Sequence, residues 1–257
     1  MRRLVAVLAL VVLAACSSEE AELDVGDGPL VYAVMGNSLM FTPTGSSVID
    51  QYEAMLAEDF SVEIDVRDHT RGGQSAEEFV SWLEENPVVR SDLAEADVVT
   101  FVVPFDEWAE PWMTVSGEGG RDPADCGGDD GLQCLRDTAV IYNDLVDRSF
   151  AELMTIVDLT KQVVMVTDFY QLHTDRQTET TRLLYPYFEQ MQMYTQEIAG
   201  EYGIPVARVW DDFMGPDGEI PNLTEMGLVQ TDGLHPTEEG ARRIADLFHN
   251  LGYELST

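Results

Sequence analysis

The chain has 257 residues, 45% hydrophobic and 9% aromatic, enough to enclose one sizeable core and too apolar for a disordered polypeptide. Its charge is one-sided: 48 acidic residues stand against 14 basic ones, the formal net charge is -34, and the only lysine is Lys161. Such a surface repels phosphate backbones and anionic headgroups, which excludes nucleic acid as a partner and leaves a solvated, self-repelling exterior.

The first elements belong to export rather than to the fold. Arg2 and Arg3 precede an apolar run over residues 4–13 that is too short to span a bilayer, so residues 1–15 are expected to be a signal peptide. The run Leu13-Ala14-Ala15-Cys16 resembles a bacterial lipobox. That resemblance implies cleavage before Cys16, diacylglycerol on its sulfur, and an extracytoplasmic protein held at the cell membrane by lipid alone. Residues 16–28 are acidic and small, without apolar periodicity, and are expected to form a flexible tether.

From residue 29 to residue 257 the pattern is that of one domain. Short apolar runs at 30–35, 62–66, 98–103, 162–167 and 205–209 are expected strands. Amphipathic stretches at 46–57, 75–84, 135–159, 184–201 and 238–251 are expected helices. The alternation predicts an α/β fold of three layers, α/β/α, around a five-stranded parallel sheet.

Residues 104–134 interrupt this rhythm with a stretch longer than an ordinary βα connection, carrying Trp108 and Trp112. It is either part of a binding site or a surface insertion. In an exported protein Cys126 and Cys134 form an even pair, and a disulfide between them would staple the polar loop. Asp129 and Asp130 lack the spacing of a calcium loop, and two cysteines without a nearby histidine make a poor zinc site, so no metal is expected.

Two segments carry chemistry. Gly36-Asn37-Ser38-Leu39 ends the first strand, where a serine hydroxyl can project from the strand tip beside backbone N–H groups. Near the other end stands Asp232-Gly233-Leu234-His235-Pro236, with Pro236 suited to the first turn of the last helix and Glu238 and Glu239 to its positive end. A carboxylate three residues before a histidine can fix its tautomer and stabilise the imidazolium, which a serine nucleophile needs in its base. Of the other histidines, His69 precedes a glycine-rich turn, while His173 and His249 have no comparable partner in sequence.

These blocks resemble those of the SGNH (GDSL-type) hydrolase family. Gly36-Asn37-Ser38-Leu39 is similar to its Gly-Asp-Ser-Leu block, Asp232 to Pro236 to its last block, and Arg71-Gly72-Gly73-Gln74 to its second. The resemblance implies a flavodoxin-like SGNH fold and a carboxylic ester hydrolase that needs no cofactor. Ser38 would be nucleophile, His235 general base and Asp232 its orienting acid, with the N–H groups of Ser38 and Gly73 in the oxyanion hole. Two positions depart from the pattern: Asn37 replaces an aspartate, and Phe105 in Val103-Pro104-Phe105-Asp106 replaces the oxyanion asparagine. Loss of one such donor costs about 100–1,000-fold in turnover. An alternative is therefore a weakened relative that binds an acyl or glycan ligand. Phe105, Trp108 and Trp112 can line an acyl pocket, stack on a sugar, or simply fill the core. A small-molecule or polysaccharide ester remains the expected partner, and oligomeric state is not legible.

Overall fold

The computed structural model describes residues 23, 25–26, 28–42, 45–116, 125–176, 178–214 and 220–255. The residues expected to form a signal peptide and a lipobox, Cys16 included, lie outside them. The domain reaches further toward the N-terminus than residue 29. Leu23, within the expected tether, is buried, and its N–H donates to the carbonyl of Tyr253 at 3.2 Å.

Five parallel strands form one sheet: β1 (Leu30–Gly36), β2 (Ile64–Thr70), β3 (Val98–Phe101), β4 (Val163–Thr167) and β5 (Val206–Ala207). Their order is β2-β1-β3-β4-β5. The three central strands are almost wholly buried, as their near-continuous apolar runs require. The expected first strand and fourth strand stand within a residue of their observed bounds. The second does not: β2 runs on through Arg67, Asp68 and His69. An edge strand tolerates such residues, and here Arg67 pairs with Asp65 and Asp92 while His69 Nε2 meets Asp92 at 2.9 Å.

The helices are α1 (Val48–Phe60), α2 (Ala76–Glu85), α3 (Pro87–Glu95), α4 (Ala109–Ser116), α5 (Gln133–Leu153), α6 (Glu179–Tyr202), α7 (Val209–Met214) and α8 (Glu238–His249). Helix α1 packs on α8, while α2, α5 and α6 form a second packed row, giving the two helical layers around the sheet. Helix α3 was not expected. Its N-cap is Asn86, whose side chain accepts the N–H groups of Val88 and Val89, and Pro87 opens its first turn. Helix α5 stops at Leu153, short of the expected 159, and Gln162 then ties the following turn to the carbonyls of Leu93 and Ala96. Helix α6 begins earlier than expected, capped by Thr178. Pro236 lies before the first turn of α8, not within it; Thr237 is the cap and accepts the Gly240 N–H.

In this strand order the chain leaves β1 for β2 on one side and returns to β3 on the other. The crevice beyond the carboxyl ends of β1 and β3 is where open parallel sheets place their ligands. The turns after β1, β2, β3 and β4 all open at that edge.

Candidate active site

Gly36 sets the geometry of the first turn. Its φ of 139° and its approach to the Val102 side chain leave no room for a β-carbon. The Gly36 carbonyl accepts the Arg71 N–H at 2.9 Å, which draws the turn holding Gly73 to the turn holding Ser38. Among the described residues, no hydrogen bond occupies the N–H of Ser38 or of Gly73. Gln74, beside Gly73, is buried, and neither atom of its amide has a partner.

Asn37 is buried, and its Oδ1 accepts the Leu39 N–H at 3.1 Å. Its amide nitrogen is thereby turned toward Asp106. Burial raises the Asp106 pKa, and the hydrogen bond from Asn37 opposes that rise only in part. An aspartate at position 37 would set a second carboxylate against Asp106 in the same buried spot. Asparagine avoids that repulsion.

The segment containing Asp232 and His235 is folded back on itself by an antiparallel bridge between Val229 and Pro236. The Gln230 N–H donates to the His235 carbonyl at 2.8 Å. Asp232 Oδ1 accepts the N–H groups of Leu234 and His235, and its Oδ2 lies 2.7 Å from His235 Nδ1. Partial burial works to raise the Asp232 pKa, but the bonds from His235 and Leu234 prevail and lower it. The carboxylate therefore holds Nδ1–H and leaves Nε2 as the basic nitrogen.

Two residues after β4 pin this segment, and neither was expected to. Tyr170 donates its hydroxyl to the Leu234 carbonyl at 2.7 Å, and the His173 N–H donates to the Gly233 carbonyl at 2.7 Å. His173 adopts φ 54°, a region that side chains disfavour. Its ring stacks on Trp112, with centroids 4.7 Å apart and planes 4° from parallel. Burial lowers its pKa, against the charges of Asp175 and Asp232. No periodicity or local motif marks either residue; their roles arise from contacts distant in sequence.

Ser38 and Leu234, the neighbour of His235, line one cavity of about 140 Å³. Its walls are mainly Leu39, Phe105, Trp108, Trp112 and Phe188. The insertion thus contributes to the cavity, and its three aromatics line it while Phe105 and Trp108 are also buried. Phe105 lies against Phe169, ring on ring. Cys126 and Cys134 are bridged, with Cα atoms 5.5 Å apart. Among the described residues, no group of three or more His, Cys, Asp or Glu is arranged to hold a metal ion, and no helix is long and apolar enough to cross a membrane.

No family model and no curated protein matches the sequence. Solved structures do. The lipase Lip_vut3 from a goat rumen metagenome superposes with a TM-score of 0.68 at 15% identity, covering 88% of this chain and 98% of its own. A lipase/acylhydrolase from Enterococcus faecalis gives 0.57 at 13% identity, covering 86% and 94%. A variant of Axe2, an acetyl xylan esterase from Geobacillus stearothermophilus, gives 0.58 at 13% identity, covering 90% and 98%. The three-layer architecture implied by the resemblance to SGNH hydrolases is therefore the one this chain has, and it is shared with lipases and an acetyl xylan esterase.

Proposed function

We propose that this chain is an SGNH-type carboxylic ester hydrolase in which Ser38 is the nucleophile, His235 the general base and Asp232 its orienting acid. The observation that carries the reading is the 2.7 Å contact between Asp232 and His235 on a segment that shares a cavity with Ser38. In this mechanism Ser38 Oγ attacks the ester carbonyl carbon and His235 Nε2 takes the hydroxyl proton. The oxyanion receives hydrogen bonds from the N–H groups of Ser38 and Gly73. Collapse of the tetrahedral intermediate breaks the bond to the alcohol, which leaves with the proton from His235. Water, deprotonated by His235, then attacks the acyl-serine and releases the carboxylic acid.

The lipases and the acetyl xylan esterase of like fold support an ester substrate, whether a small molecule or an acetylated polysaccharide. The lipobox-like run ending in Cys16 supports export and attachment to the membrane by lipid. Replacement of Cys16 by serine should abolish both lipid labelling and membrane partition. A second reading, a relative that binds an acyl or glycan ligand without turning it over, draws on Phe105 in place of the oxyanion asparagine. A fluorophosphonate probe separates the two. Labelling of the native protein and its loss in Ser38→Ala support the hydrolase; a folded native protein that neither takes the probe nor cleaves any ester favours the binder.

A further inference from the structure

Beyond the cavity at Ser38 lies a second cavity of about 90 Å³, lined by Arg176, Thr178 and Leu184 among others. Trp112, Leu172 and His173 line both, so these three side chains form the partition between them. The partition is firmly built. The indole and imidazole lie face to face, and the His173 backbone is fixed in its left-handed conformation by its bond to Gly233. Gly233, at φ 72°, is where the imidazole packs: a β-carbon there would sit 2.7 Å from His173 Nδ1. The wall therefore rests on the same segment that presents Asp232 and His235.

We infer that the Trp112–His173 stack is the end wall of the acyl site and limits this protein to short acyl groups, an inference that rests on the esterase reading above. An apolar cavity of about 150 Å³ holds one benzene-sized molecule. The cavity of about 140 Å³ at Ser38 has that capacity, which corresponds to acyl chains of about two to six carbons. The lining is largely hydrocarbon: Leu39, Phe105, Trp108 and Phe188 present carbon beside the polar Asn37 and Asp106, and burial disfavours charge on the His173 ring. A longer chain meets the stacked pair of Trp112 and His173 before it reaches the second cavity. Residues held in disfavoured backbone conformations gather at sites where position matters, and His173 is one of two non-glycine residues with positive φ among those described.

The test is a chain-length profile with p-nitrophenyl esters from acetate to decanoate, for native protein, Trp112→Ala and His173→Gly. The glycine variant removes the ring and suits the left-handed backbone, so it opens the wall even if the alanine variant folds poorly. Native kcat/KM should fall sharply between hexanoate and octanoate. Either folded variant should raise the octanoate-to-butyrate ratio by about tenfold or more, the discrimination a pocket draws from one or two methylenes. Calorimetric binding of methyl butanoate, octanoate and decanoate to Ser38→Ala protein, with and without the wall substitutions, reads the same limit without turnover. A length limit in binding that the wall variants relieve supports the wall even where hydrolysis is absent, in which case the esterase reading alone fails. Hydrolysis with an unchanged profile in both folded variants overturns the wall and leaves the esterase standing. So does native cleavage of decanoate as fast as butyrate, or a profile that follows the alcohol of acetate esters and not the acyl chain. Absence of both hydrolysis and binding overturns both.

Discussion

The rings of Phe105 and Phe169 stack with centroids 3.8 Å apart and planes 17° from parallel, and Phe169 in turn meets Phe188 edge-on at 6.1 Å. Phe105, which follows β3, is thus packed into a buried aromatic cluster with Phe169, which follows β4, and Phe188 of α6. Asparagine in its place would lose that stacking and bury an amide. Phe105→Asn should cost roughly 3–5 kcal/mol, the range for truncating a buried phenylalanine. If the new amide reaches the oxyanion, turnover of p-nitrophenyl acetate should rise by up to about 100-fold. Urea denaturation and single-turnover kinetics on one preparation check both. A variant as stable as the native protein would remove the packing explanation for this residue.

His235 and Asp232 of the proposed triad differ in exposure, and their substitutions should differ accordingly. His235 is mostly covered, whereas Asp232 has 43% of its side chain exposed. Water can reach the space left by Asp232→Ala and partly orient the imidazole, while nothing replaces the base lost in His235→Ala. Esterase kcat should therefore fall further for His235→Ala than for Asp232→Ala. Equal losses, or activity retained in His235→Ala, would contradict the assigned roles.

Much of this site was legible because its informative contacts are short in sequence. The Asp232–His235 pair spans three residues, and Gly36-Asn37-Ser38 is a single turn, so residue type and spacing, together with the resemblance to known sequence blocks, marked them as candidates. Tyr170 and His173 were not legible, because their bonds to Leu234 and Gly233 exist only once β4 lies beside the segment leading into α8. The same contrast holds in the fold. The buried strands β1, β3 and β4 announce themselves as apolar runs. The polar half of β2 belongs to the sheet through its ladder with β1, and Asp92 from α3, distant in sequence, pairs with Arg67 and His69 there. Helix α3 was missed, although its cap and first-turn pair, Asn86-Pro87, is a local signal that could have found it.

The bridge between Cys126 and Cys134 closes a short loop that also carries its own hydrogen bonds. Gln133 donates its N–H to the Gly127 carbonyl at 2.9 Å, and Arg136 grips Asp130 through both terminal nitrogens. Replacement of both cysteines by serine should cost roughly 2–3 kcal/mol, mostly by freeing the unfolded chain. For a domain of this size that corresponds to a Tm lower by about 5–10 °C. Differential scanning calorimetry of the two proteins decides it, and an unchanged Tm would show that the hydrogen bonds alone hold the loop.

Asp168, just beyond β4, is buried and takes no part in the proposed chemistry. Its Oδ1 accepts the Trp210 N–H at 2.9 Å and its Oδ2 accepts Gln196 Nε2 at 2.6 Å, joining β4 to α7 and α6. Burial nevertheless outweighs those bonds and raises its pKa from 3.8 to about 7. Between those values the folded protein keeps a proton that the unfolded chain has released, so stability is greatest at the acid end. It then declines as pH rises from about 4 to about 7, and the loss is complete above that. A shift of about three units corresponds to a decline on the order of 4 kcal/mol. Asp168→Asn removes the ionisation while keeping an oxygen for the Trp210 N–H; its new amide requires Gln196 to turn, at the expense of that residue's exposed bond to Arg208. Thermal melts of both proteins from pH 4 to pH 8 should show the native Tm falling relative to the variant's across this window. The difference isolates Asp168 from the other carboxylates, which titrate in both proteins. Parallel Tm profiles would mean that the bonds from Trp210 and Gln196 hold Asp168 ionised throughout, and that its burial carries no pH-dependent cost.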